Sequence, residues 1–513
     1  MKQIIILTLL SIILQVHLQA QGSVMIAGGG SESSSSNSWN HPPYSWFVEQ
    51  AGFGKIINID TSETADWYAE YFISLGADPS SHGLRIANVS TANDSTTYYE
   101  LISATGIFME GGDQYPYVEN WRGTLVEDAI NYVFNAGGAI GGTSAGAAVM
   151  GEVVFDARFG SVYADDVALN PYHYTMHFED DFLQVLPGIL VDSHFNERGR
   201  LGRLVPMLAR RNQEYGEDLL GIGVEYKSAV CIDQNGLATV WGTSATFVHA
   251  TNASQVICDP GTPARFIHID FNQLLRGAVF NINTRQLVDP GDFLHTVDLP
   301  EASELTFTPI TLDGTDENSI QLGDIVVNGM NDNENNWWYG NLWLSVGQGS
   351  VPLGAVIPEL YDDYDLWPNH WVGGMLAPAV HPHYFTIYLA SDCSADIDDT
   401  GVLTAQQYTY VLDTSPVTHT GLNDYDTPGI INGRLHFLTD GDELDLALLT
   451  SGFPPGDMNQ DHVVDVIDII QLVTAILDEY ELSGYELSTA DVSGDGMVDI
   501  LDVVVMVIII LEQ

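Results

Sequence analysis

The pentapeptide Gly142-Thr143-Ser144-Ala145-Gly146 matches the pattern G-x-S-x-G. Small residues around a serine suit a strained strand-to-helix turn that lifts its hydroxyl to the edge of a sheet. There the N–H of Ala145 can point at a developing oxyanion. A glycine-rich turn that only packs, or that cradles a phosphate, has the same composition, and the pentapeptide alone does not choose between them. A nucleophilic serine also needs a base. The stretch LPGILVDSHFNERGRLGRL, Leu186 to Leu204, reads as a strand up to Asp192 and then offers His194. Arg198, Arg200, Arg203, Arg210 and Arg211 follow closely, in a chain with only 15 Lys and Arg. Arg200 and Arg203 would share one helix face. Guanidinium groups grip carboxylates bidentately, so one reading of the cluster is an acidic substrate and the other is internal pairing with Asp and Glu. Gly111-Gly112-Asp113-Gln114 closes a further strand. The N–H of Gly112 would complete an oxyanion hole and Gln114 would touch substrate, with an ordinary turn as the alternative.

The elements that must position these residues follow from periodicity. From Gly22 to about Gln286, short apolar runs (SVMIAGGG, KIINID, ATGIFMEGGDQ, AIGG) alternate with helix-like stretches such as Ser62 to Leu75 and TLVEDAINYVFNAGG. That alternation predicts an α/β fold with a parallel sheet, whose site lies beyond the carboxyl ends of the strands. From 288 to 455 helical periodicity is scarce. Runs such as NLWLSV, YFTIYLA and YTYVLD between Gly, Asp, Asn and Pro clusters predict a β-rich domain of unassigned role. Its aromatics Trp337, Trp338, Tyr339 and Trp343 read as core packing in preference to a binding face.

The first 20 residues have a positive start at Lys2, an apolar run from Ile4 to Leu14 and a small residue at Ala20. This is the pattern of a secretory signal peptide, which predicts a secreted or cell-surface protein beginning at Gln21. No other run reaches the length of a membrane span. A net charge of −54 excludes a nucleic-acid or anionic-membrane binder, because a polyanion is repelled. Cys231, Cys258 and Cys393 are too few for a disulfide framework and leave room for one bridge.

The C-terminus holds a repeat. DMNQDHVVDVIDII begins at Asp457 and DVSGDGMVDILDVV at Asp491. Calcium loops of 12 residues supply oxygen at positions 1, 3, 5, 7, 9 and 12. Those positions are Asp457, Asn459, Asp461, the Val463 carbonyl, Asp465 and Asp468 in one copy. In the other they are Asp491, Ser493, Asp495, the Met497 carbonyl, Asp499 and Asp502. Gly496 supplies the sharp turn at position 6, where the first copy has His462. With Asp at position 12, residues 456–513 resemble a dockerin domain. The resemblance implies a small all-α module, structural Ca2+ and a cohesin-like docking partner.

GGDQ, then GGTSAGA, then LPG-x-x-x-D-x-HF-x-x-R-x-R-x-x-RL, then GIGV occur in this order, and residues 21–287 thereby resemble the cyanophycinase branch of the peptidase E family. The resemblance implies a class I glutamine amidotransferase-like fold and serine-peptidase cleavage of the β-aspartyl-arginine units of cyanophycin, with no cofactor for catalysis. It carries Ser144 to the nucleophile and His194 to the general base. Gln114, Asp192, Arg198, Arg200 and Arg203 go to substrate-binding positions. The chain departs from the family at Ser193, where the family has Gln, and in GIGVEY. There Glu225 stands on the family's Asp and Tyr226 on its acidic triad member. Glu225 after a one-residue shift, Asp192, or no residue completes the triad; the expectation taken is Glu225. The rival readings are an aspartyl-dipeptide peptidase and a non-catalytic binder of acidic polymer.

Overall fold

The computed structural model describes residues 22–183, 185–297, 305–330, 342–362, 367–450, 454–459, 463–477, 482, 489–493 and 497–512. The expected signal peptide, Trp337, Trp338, Tyr339, Asp461, His462, Asp495 and Gly496 lie outside them.

The first sheet is built on five parallel strands. They are β1 (Ser23–Ala27), β2 (Ile56–Asp60), β3 (His82–Arg85), β4 (Gly106–Met109) and β5 (Ala139–Thr143), side by side as β1-β5-β4-β2-β3. The apolar composition of β1, β2, β4 and β5 follows from burial on both faces, the usual condition of a parallel sheet, while β3 lies half-exposed at its edge. Every residue of β1, β2, β4 and β5 is buried. Helices such as α1 (Leu125–Asn135), capped by the Thr124 hydroxyl, cover them with one apolar face. Beyond β1 the sheet turns antiparallel through β10 (Ala229–Ile232) and β11 (Leu237–Trp241) to β14 (Val279–Asn281) and β15 (Gln286–Asp289).

Among the described residues the second sheet has 14 strands. It runs from β7 (Phe178–Glu179) through β6 (Gly151–Phe155), β8 (Leu186–Asp192), β9 (Leu220–Val224) and β12 (Ser244–Ile257) to β13 (Arg265–Leu275). It does not stop there. β13 pairs with Pro428–Thr439, placing Ile269 opposite Leu435, and the sheet continues through Tyr408–Asp413, Phe385–Ala390, Val351–Leu360 and Gly323–Asn328 to Trp343–Val346. The boundary expected at 287/288 therefore does not separate two sheets. The later region is also not purely β. Val351–Leu360 and Phe385–Ala390 are parallel, and helix Trp367–Val380 connects them. Two parallel neighbours need such a crossover. Trp343, expected in the core, is 51% exposed on its edge strand. All three cysteines are free and buried.

Near the C-terminus, helices Val466–Ile476 and Ile500–Glu512 pack around Met458, Val464, Leu472, Ala490 and Met506. No helix among the described residues is long and apolar enough to cross a membrane.

Candidate active site

Ser144 joins β5 to the short helix α2 (Ala145–Ala148), with φ 52°. That left-handed conformation is strained for a non-glycine residue, at a cost of about 1–3 kcal/mol. The flanking glycines permit it. A Cβ on Gly142 would lie 2.5 Å from the Gly146 carbonyl carbon, and one on Gly146 would overlap the Met109 carbonyl. Only bare backbone fits on either side of the turn. The Ser144 N–H donates to the Ala27 carbonyl at 2.9 Å, fixing the turn to the end of β1.

His194 follows β8 in the other sheet, also left-handed at φ 49°. Its N–H donates to the Gly28 carbonyl at 2.9 Å. Its Nε2 lies 2.9 Å from the Ser144 Oγ. Gly29 (φ 96°) runs beneath the ring, where a Cβ would sit 2.5 Å from Nε2. Burial lowers the His194 pKa below the ordinary histidine value, against the raising effect of a carboxylate at Nδ1. The ring is thus neutral at neutral pH, as a base must be.

That carboxylate belongs to Glu197. Its Oε2 is 2.7 Å from His194 Nδ1, one short helical turn further along the chain. Glu225, expected in this place, is elsewhere. One of its oxygens accepts from the Asn196 N–H at 2.7 Å, and the other from the N–H groups of Tyr226 at 2.7 Å and Glu197 at 3.3 Å. Glu225 therefore ties down the turn that carries Glu197. Burial pushes its pKa up to about 8. Tyr226 sets its ring 6.3 Å from that of His194. The spacing His-x-x-Glu, which puts both side chains on one face of a helical turn, was the available signal for Glu197.

The remaining expected residues divide. Gly111 lies against Ser144, with 3.4 Å between its would-be Cβ and the Ser144 Cβ. The N–H groups of Gly112 and Ala145 make no backbone hydrogen bond among the described residues. Gln114 donates to the Phe155 carbonyl at 3.3 Å. Asp192, Arg200 and Arg203 form an internal cluster. Arg203 Nε and Nη2 reach the two Asp192 oxygens at 2.8 and 2.7 Å, and Arg200 Nη1 reaches one at 3.0 Å. Burial would raise the Asp192 pKa, but the guanidinium groups outweigh it and hold the carboxyl below the ordinary value. These side chains brace the segment that follows β8. Arg210 and Arg211 are likewise paired, with Glu214 and with Glu217 and Asp180. Arg198 differs: it is exposed and makes no ion pair among the described residues.

In the terminal repeat, the two position-12 carboxylates fold back in the same way. Asp468 accepts from the N–H groups of Asn459 at 3.0 Å and Asp465 at 2.7 Å. Asp502 accepts from those of Ser493 at 2.9 Å and Asp499 at 2.8 Å. Asp457, Asp468 and Asp502 are buried, in a stretch from 456 to 513 whose sequence contains neither Lys nor Arg. Three buried carboxylates in a segment without Lys or Arg are the hard, anionic donors that a calcium loop uses.

Comparison with known proteins gives two matches of family. Residues 26–239 match peptidase family S51, and residues 455–510 match the dockerin type I domain. Among curated proteins, a cyanophycinase from Synechococcus elongatus is 30% identical over 208 residues, covering 40% of this chain and 58% of that protein. One from Trichormus variabilis is 30% identical over 186 residues, covering 36% of this chain and 58% of that protein. The chain thus spans little more than half the length of these relatives. A peptidase of known crystal structure from an acI-B1 Actinobacterium aligns over 52% of this chain and 98% of its own, at 16% identity and a TM-score of 0.35.

Proposed function

From a peptidase family S51 region and a dockerin type I region joined in one chain, we propose a secreted serine peptidase that hydrolyses β-aspartyl peptide bonds and is tethered by its C-terminus. The observation that carries the reading is the relay from Ser144 Oγ through His194, at 2.9 Å, to Glu197, at 2.7 Å. It favours an enzyme over a dead peptidase that only binds polymer, since a carboxylate stands behind the base.

In the proposed mechanism, His194 Nε2 takes the Ser144 proton as the oxygen attacks the substrate carbonyl. Glu197 holds the imidazole by Nδ1–H and stabilises the imidazolium that forms. The N–H groups of Ala145 and Gly112 receive the oxyanion. His194 then protonates the leaving amine, and water, activated by the same ring, releases the acyl group. Cyanophycin, with its β-aspartyl-arginine units, is the proposed substrate, after the proteins most similar to the peptidase region. Arg198 supplies positive charge for substrate carboxylates. Asp457, Asn459, Val463, Asp465 and Asp468, and Asp491, Ser493, Met497, Asp499 and Asp502, would hold Ca2+, which supplies folding energy to the repeat. A cohesin-like module is the proposed docking partner.

The test uses the chain from Gln21 beside Ser144→Ala. Both are incubated with cyanophycin and with Asp-Xaa dipeptides, and products are identified by mass spectrometry. Release of β-aspartyl-arginine by the first protein alone is expected. Cleavage of the simple dipeptides alone moves the assignment to an aspartyl-dipeptide peptidase. No release from either substrate refutes the enzyme.

A further inference from the structure

Three consecutive carbonyls at the end of β1 organise the site. Those of Ala27, Gly28 and Gly29 accept from the N–H groups of Ser144 at 2.9 Å, His194 at 2.9 Å and Lys227 at 2.7 Å. All three donors are non-glycine residues in the left-handed region, with φ of 52°, 49° and 54°. Such strain collects where a side chain must be aimed. Ser144 and His194 have roles in the proposed chemistry; Lys227 has none so far. Its ammonium lies 5.0 Å from the centre of the Tyr226 ring, which stands 6.3 Å from the ring of His194. A Cβ on Gly30, next to the glycine under His194, would fall 2.9 Å from the Lys227 Cγ.

Charge singles out the same residue. Among the described residues every Lys and Arg makes an ion pair except Arg85, Arg198 and Lys227. Arg85 closes β3, the outermost strand. The other two are linked to His194, Arg198 by lying four residues after it and Lys227 through the Tyr226 ring that both it and His194 approach. In a chain of net charge −54, a half-buried ammonium with no carboxylate partner among the described residues is free to meet one from a ligand.

We infer that Lys227 is a specificity residue, whose ammonium, together with Arg198, holds a carboxylate of the bound peptide beside the Tyr226 ring. This rests on the serine-peptidase reading.

The experiment compares the chain from Gln21 with Lys227→Met and Lys227→Arg on a synthetic β-aspartyl-arginine trimer. Lys227→Met raises KM about 10-fold or more, the usual weight of a charged hydrogen bond, while kcat stays near the wild-type value. Lys227→Arg recovers most of the loss. With the trimer's carboxylates capped as amides, the difference between the proteins disappears. An unchanged KM for Lys227→Met on the free trimer overturns the inference. Absence of turnover by the parent protein overturns the peptidase reading instead. Calorimetric titration of Ser144→Ala, with and without Lys227→Met, then decides on Lys227: equal affinity, or no binding by Ser144→Ala, removes it from the site.

Discussion

Glu197→Gln isolates the charge behind the base. Glutamine keeps the size of the side chain and an oxygen for His194 Nδ1–H, now 2.7 Å from Glu197 Oε2, but removes the negative charge. The cost falls on the transition state, where His194 becomes a cation. Both side chains are largely buried, with 13% and 23% of their surfaces exposed. Unit charges about 4 Å apart at an effective dielectric of about 20 attract by about 4 kcal/mol. Lost from the barrier, that is roughly a 10³-fold fall in kcat. The carboxylate also raises the His194 pKa, so in Glu197→Gln the acid limb of the pH–rate profile moves to lower pH. The assay is initial-rate release of β-aspartyl-arginine across pH, with Glu225→Gln alongside and both variants checked for cooperative melting. The reasoning fails if folded Glu197→Gln stays within a few-fold of wild type while folded Glu225→Gln loses activity.

Four more outcomes are expected. Gly29→Ala puts a methyl group 2.5 Å from His194 Nε2 and demands φ 96° of alanine, so kcat/KM falls about 100-fold, read by the same release assay. Asp192→Ala leaves Arg203 buried and short of a counter-ion; denaturant titration should show a loss of about 3–5 kcal/mol. Glu225 has a folded pKa raised to about 8, so its protonated form favours the fold and stability drains away as pH rises towards and through that value. Melting temperatures of wild type from pH 5 to 9 should show this fall, and those of Glu225→Gln a flatter profile. Chelation of calcium melts the terminal helices, seen as lost helical circular dichroism, and leaves turnover intact. Lost turnover on chelation in a chain already cut after residue 455 contradicts a purely structural role for the ion.

What could be read from the sequence was local. β1, β2, β4 and β5 are legible because buried parallel strands are written as unbroken apolar runs, and the match to the dockerin type I domain because an oxygen spacing occurs twice in register. Ser144 and His194 each stand at a strand end, where an α/β sheet places its chemistry, and they lie 2.9 Å apart. Glu197 escaped because a family pattern pointed to the end of β9, while the carboxylate that meets the His194 ring sits one turn after it. The arginine cluster misled because composition does not say which way a side chain turns. Arg200 and Arg203 face inward to Asp192, and only Arg198 stays outside. The pairing of β13 with Pro428–Thr439 joins residues far apart in the chain, and neither strand carries a mark of its partner.

That pairing also sets an order of events in synthesis. The peptidase segment leaves the ribosome first, yet the strand that covers β13 arrives only with residues 428–439. Until then β13 presents bare N–H and C=O groups and a row of apolar side chains, the template on which chains aggregate. The region with Ser144 and His194 is therefore expected to finish folding only when that strand is present. Protease protection of nascent chains should appear only beyond residue 439, and a gene cut at 287 should yield inclusion bodies. The terminal repeat, which follows that strand, meets a sheet already closed, so its replacement by another module leaves that sheet intact.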